Sequence, residues 1–206
     1  MTMSDKSPLW KPSKQRIAAA NLTAFMRSAP RRWNAEFADF EALHRWSVTQ
    51  PEQFWTTLWD VAGVVGHRGE RVLVDANKMP GAKWFPDASL NFAENLLRGY
   101  ATEHDTADAL VFWGEDKVKG RASHAELYRA VAQTARALRD MGVVKGDRVA
   151  AYLPNVPAAV VAMLATASIG AIFSSASPDF GVQGVLDRFG QIAPKVLFAC
   201  DGYFYN

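Results

Sequence analysis

At 206 residues the chain could form one large or two small domains, and 49% apolar with 21% charged residues is the balance of a globular protein, which excludes a disordered or fibrous class. A net charge of +2 supplies no field that would draw nucleic acid or a membrane surface, and Arg31 and Arg32 beside Trp33 read as a solvated turn. The first residues, MTMSDKSPLWKPSKQR, lack the apolar core of a secretory signal, which predicts a cytoplasmic location, and Cys200 as the single cysteine excludes an internal disulfide.

Two composition regimes meet near residue 105. Six of the seven tryptophans (Trp10, Trp33, Trp46, Trp55, Trp59, Trp84) precede it, and most of the Ala, Val and Gly follow. The boundary predicts an aromatic-rich helical segment over residues 1–105 and an α/β part over residues 106–206. Within the first, Phe37, Phe40 and Leu43 recur at helical spacing. Thr49 and Glu52 have the spacing of a capping box, with Pro51 between them, ahead of Phe54, Trp55, Leu58, Trp59 and Ala62 on one helical face that Gly63 or Gly66 ends. Such a stripe could line a cofactor, but the area each indole buries argues for packing against the neighbouring sheet. Residues 83–97, KWFPDASLNFAENLL, predict an extended aromatic stretch and then a helix.

In the second regime residues 109–113 predict a strand and 116–120 a turn. Ser123 and Glu126 form another capping box, and Leu127, Val131, Ala135, Leu138 and Met141 line one face of a helix that Gly142 stops. Lys145, Gly146 and Asp147 turn the chain into a strand at 149–153. From Arg148 to Asp179 the interior carries no charged side chain. That run exceeds the roughly 20 residues that cross a bilayer, but Pro154, Asn155, Pro157 and Gly170 divide it into pieces too short to do so. It therefore reads as strand, helix over 158–168 and strand over 171–174, a βαβ unit whose strands are apolar on both faces and so parallel and covered by helices. A helix over 181–192 and a fourth strand over 195–199 follow. The fold class predicted is α/β, with a mostly parallel open sheet and flanking helices.

Complete catalytic motifs are missing. No G-x-G-x-x-G follows a strand and no G-x-x-x-x-G-K-[ST] occurs, while Thr166 stands where a G-x-S-x-G elbow around Ser168 needs glycine. His44, His67, His104 and His124 have no ligand spacing, so neither a metal site nor a hydrolytic triad is expected. The acid pairs Glu103 with Asp105 and Glu115 with Asp116 fall in predicted turns, and Cys200, beside the apolar run 196–199, reads as a buried, inert thiol.

Four marks come in a fixed order: Gly114–Glu115 at the end of the first strand, Glu126–Leu127, G-V-x-x-G-D-R-V from Gly142 to Val149, and L-P-N at Leu153 to Asn155. In that order and spacing they resemble the opening of the adenylate-forming acyl-CoA synthetase family. WSVTQPEQFWTTLWD, KWFPDASLNFAENLL and PDFGVQGVLDRFGQIAPKVLFACDGYFYN bring the resemblance nearest to the branch that activates acetoacetate, and it extends from Trp10 to Asn206. The resemblance implies that residues 106–206 are the first part of the large AMP-binding domain and that the small-molecule substrate is acetoacetate. It also implies a two-step reaction: with ATP and Mg²⁺ an acyl-adenylate and pyrophosphate form, and CoA then displaces AMP. The phosphate loop, the nucleotide motifs and the catalytic lysine of that family are expected beyond Asn206. The chain alone would then be an inactive scaffold, prone to self-association because its sheet is incomplete. By position Tyr205 and Asn206 match a turn that touches the CoA nucleotide in related synthetases, and Arg188 on the preceding helix could reach the same region. A ligase for acetate or propionate, and a complete non-catalytic interaction module, are the alternatives.

Overall fold

The structure, a computed structural model, describes residues 8–99 and 106–204. It forms two compact units, Met1–Ser89 and Leu90–Asn206.

The first unit consists of α1 (Lys14–Ala18), α2 (Asn21–Ser28), α3 (Pro30–Trp33), α4 (Phe40–Thr49) and α5 (Pro51–Ala62), then the short strands β1 (Gly66–His67), β2 (Leu73–Val74) and β3 (Lys83–Trp84), with β4 (Ser89–Leu90) at its end. Its core gathers Phe25, Ala29, Leu43 and Trp46, with Phe54 meeting Phe25 and Trp46 edge-on at centroid distances of 5.6 and 5.9 Å. Packed indoles need a partner for their single N–H. Trp33 Nε1 donates to Thr57 Oγ1 at 2.8 Å and Trp46 Nε1 to Gln53 Oε1 at 3.1 Å. The stripe on α5 packs within this unit, Trp55 against Trp84 at 5.5 Å and Trp59 against Phe85 at 5.1 Å, rather than on a broad sheet.

One expected cap is corrected. Thr49 is the last residue of α4 and donates its hydroxyl to the Arg45 carbonyl at 2.8 Å; α5 starts from Gln50 without a side-chain cap. The preceding helix takes the threonine before the next can use it. Phe37 lies ahead of α4, whose N-cap is Asp39.

The second unit contains α6 (Phe92–Leu97), the hairpin β5 (Asp108–Gly114) and β6 (Val118–Ser123), α7 (His124–Asp140), β7 (Arg148–Tyr152), α8 (Pro157–Ser168), β8 (Ile172–Ala176), α9 (Val182–Phe189) and β9 (Val196–Ala199). The expected turn over 116–120 is shorter than predicted. The chain reverses at Glu115, with φ 51°, and β6 pairs antiparallel with β5 from Gly114↔Val118 onward. Exposed Lys, Gly and Arg give β6 no apolar alternation, so its ladder is carried by backbone pairing together with surface pairs across the hairpin, Lys119 over Trp113 and Arg121 with Asp108.

The three parallel strands lie in the order β8-β7-β9, with Val149 opposite both Phe173 and Val196. Central β7 is buried, while β8 and β9 are edges and only partly covered. Val149 faces the cluster of Leu127, Val131, Leu138, Leu164 and Ala165, and Ala150 faces Ala176 and Phe189, so helices cover both faces. Full burial of Leu138 and Leu164 contributes about 1.5–3 kcal/mol each. Helices α7 and α8 both end in a doubly bonded turn: Gly142 N–H donates to Arg139 and Val143 N–H to Leu138, as Gly170 does to Ala167 and Ala171 to Thr166. Gly142 at φ 79° and Gly170 at φ 73° supply the left-handed residue that this turn requires.

Candidate functional site

The strand order has a functional consequence. The chain leaves β7 through α8, on the Val149 face, to β8, and crosses back through α9, on the Ala150 face, to β9, so the loops after β7 and β8 leave the carboxyl edge of the sheet toward opposite faces. In open α/β sheets that divergence makes the crevice in which ligands bind. A cleft of about 860 Å³ lies there, lined by Pro154, Asn155 and Val156 after β7, Ser177 to Asp179 after β8, and Cys200 to Phe204 after β9. Phe112 to Glu115 and Val118 of the hairpin complete it. This volume suits a ligand of ordinary small-molecule size.

Local chemistry holds each wall. The Tyr152 hydroxyl, at the end of β7, lies 2.7 Å from the carbonyl oxygen of Pro178 and 2.8 Å from that of Phe180, and its one proton serves either. Asp179 Oδ2 accepts from Ser177 Oγ at 2.7 Å, and Oδ1 accepts from the Tyr203 hydroxyl at 2.9 Å. On the hairpin wall the Lys119 ammonium sits 4.0 Å from the centroid of the exposed Trp113 ring. Among the described lining residues, Glu115, Asp179 and Asp201 carry charge and no lysine or arginine does. The hydroxyls of Ser177 and Tyr203 both donate to the one Asp179 carboxylate, and with the exposed rings this cleft can bind and orient a ligand by stacking and hydrogen bonding.

The residues expected at this site divide. Tyr205 and Asn206 lie outside the described residues, as do Glu103, His104 and Asp105; the stretch leading to Tyr205 and Asn206 lines the cleft. Arg188 stands in the last turn of α9 and is not among the lining residues; its guanidinium reaches back over the Phe180 ring at 4.0 Å and donates to the Gly184 carbonyl at 2.9 Å. Cys200 is half-buried on the cleft wall, a correction to its expected burial, because edge strand β9 leaves its end uncovered. Asp179 and Tyr203 were not singled out from sequence; they are separated by 24 positions and no local pattern joins them.

The turn G-V-x-x-G-D-R-V proves to be scaffold at the opposite end of the sheet. Asp147 Oδ2 accepts from Val144 N–H at 2.9 Å and from Lys195 Nζ at 3.0 Å, and Arg148 Nε donates to the Ile192 carbonyl at 2.7 Å, so β7 is clasped to the segment entering β9. The Val144 amide, and then Lys195, hold the Asp147 carboxyl below its usual range. Ser123 does the same to Glu126, through its backbone N–H first, within the predicted capping box, and Arg71 to Asp87 in the first unit.

Comparison with known proteins agrees with this architecture. Residues 40–96 match the acetyl-coenzyme A synthetase N-terminus family and residues 97–204 the AMP-binding enzyme family. The acetoacetyl-coenzyme A synthetase of Rhizobium meliloti is 50% identical over 99% of this chain and 31% of its own length. That of Xenopus tropicalis is 39% identical over 99% of this chain and 32% of its own. The structure of acetoacetyl-CoA synthetase from Streptomyces lividans superposes with a TM-score of 0.83 at 46% identity, over 97% of this chain and 31% of that one. The chain thus spans about a third of the length of these relatives. With that similarity along its length and the AMP-binding match over residues 97–204, the chain belongs to the AMP-binding enzyme family.

Proposed function

We propose that this chain is the N-terminal portion of a cytoplasmic, AMP-forming acetoacetate:CoA ligase. The observation that carries the reading is the 50% identity to an acetoacetyl-coenzyme A synthetase sustained over 99% of the chain. In the whole enzyme the acetoacetate carboxylate attacks the α-phosphate of ATP, pyrophosphate leaves, and the thiol of CoA then displaces AMP from the acyl-adenylate. Residues 106–206 act as the first part of the AMP-binding domain, behind the aromatic-rich segment 1–105. We assign Mg²⁺ and the phosphates of ATP to the rest of the protein.

What this chain contributes is the carboxyl edge of the sheet. Trp113, Tyr203 and Phe204 offer faces for a base, and the neighbouring carboxylates and Asn155 offer partners for amines and sugar hydroxyls, which fits the nucleoside end of CoA. The described lining has no cation for its phosphates. We assign that contact to the adjoining Tyr205 and Asn206 and to Arg188, whose guanidinium is carried back to Phe180, next to the cleft residue Asp179. The decisive experiment compares acetoacetate-dependent with acetate- and propionate-dependent pyrophosphate release by the full-length protein. Acetoacetate is expected to be preferred; preference for either other acid overturns the substrate assignment.

A further inference from the structure

One carboxylate links the loops that follow β8 and β9. Asp179 Oδ2 is used locally, by Ser177 Oγ at 2.7 Å, while Oδ1 accepts from Tyr203, 24 positions away, at 2.9 Å. The ordinary employment of an aspartate before a helix is to cap it, but α9 is capped by Gly181 without any side-chain hydrogen bond, so Asp179 is not serving the helix. Its own position is steadied by its neighbours, since the Tyr152 hydroxyl can donate its one proton to the carbonyl oxygen of either Pro178 or Phe180. A held carboxylate is a fixed anchor, and an O–H···O⁻ bond is about twice as strong as its neutral counterpart. Tyr203 lines the cleft with 42% of its surface exposed. Fixing its phenol fixes the stretch that leads into Tyr205 and Asn206.

We propose that Asp179 is a positioning residue for the thiol-transfer half of the reaction: through Tyr203 it holds the segment after β9 in the arrangement that receives the nucleoside end of CoA. This rests on reading the cleft as the CoA end of the site. An anchor of this kind acts on CoA and not on ATP or the acyl acid, which gives it a kinetic signature distinct from general stability.

The test uses the full-length protein, with whichever acyl acid the wild type accepts, and the variants Tyr203→Phe, Asp179→Asn and both together. Tyr203→Phe is expected to raise the KM for CoA about ten-fold, the loss of one hydrogen bond to a charged group, and Asp179→Asn, whose amide oxygen still accepts from the phenol but carries no charge, about three-fold, while the KM values for ATP and the acid move by less than about two-fold. The double variant is expected to match Tyr203→Phe alone, because without the phenol hydroxyl the residue at position 179 has no bond to Tyr203 left to weaken. Should Asp179→Asn fail to fold, Tyr203→Phe, which deletes one oxygen from a half-exposed ring, decides alone. An unchanged KM for CoA, a parallel rise in all three KM values, or additive losses overturns the proposal. Failure of the CoA reading shows separately: hydrogen exchange of the wild type with CoA bound would then protect a region other than residues 153–156 and 200–206, whatever the variants do.

Discussion

Asp147 illustrates how a single side chain stabilises this fold without serving its chemistry. Its carboxyl is held below the ordinary range by the Val144 amide and by Lys195, so the folded state favours the ionised form more than the unfolded state does. A depressed value of this kind contributes stability that is complete above the unfolded carboxylate pKa, near ~4, and is lost as pH falls through the lower folded value. Asp147→Asn is therefore expected to lower the denaturant midpoint at neutral pH, with the gap to wild type shrinking in acid. Urea titrations of both proteins at neutral and acidic pH read this directly; a gap constant with pH counts against it. Lys195 also donates to the Gly142 carbonyl, so the same lysine joins the end of α7 to the clasp.

Among the elements, α7 and α5 show when a local pattern is enough. Both were expected to begin with a capping box. At α7 the Glu126 amide donates to Ser123 Oγ at 3.2 Å and Ser123 N–H donates to Glu126 Oε2 at 2.8 Å, and no preceding helix competes for the serine. At α5 the threonine belongs to α4, and spacing alone carries no information about which helix claims it. Ser123→Ala should cost about 1 kcal/mol, seen as a lower denaturant midpoint with an unchanged slope, whereas Thr49→Ala should leave the start of α5 intact. An equal loss in both would mean that the cap at Ser123 adds nothing specific. The hairpin strand β6 escaped prediction for a related reason: exposed on its first four residues, it has no buried face to imprint a period on the sequence.

For the chain taken entire, the sheet predicts behaviour in solution. Both edges, β8 and β9, expose apolar side chains, Ile172 at 54% and Leu197 at 52%, and α9 adds Val182 and Leu186. Unpaired edges with apolar neighbours seek further strands, and relatives about three times as long have the additional polypeptide to supply them. The isolated 206-residue chain is accordingly expected to self-associate, with a sedimentation coefficient that rises with concentration. A concentration-independent monomer contradicts this.

The helices that Gly63, Gly142 and Gly170 terminate, the cap at Ser123, and the apolar runs of β7, β8 and β9 were all legible in the primary structure, because each depends on partners a few positions away or on the apolar character of one short segment. So was the α/β class, since alternating strands and helices leave few ways to bury both sheet faces. Where the cleft opens, and that Asp179 meets Tyr203 within it, followed only from β7 lying between β8 and β9. That order is settled by competition among contacts distant along the chain, and no short stretch of residues carries the energy of that competition in its own pattern.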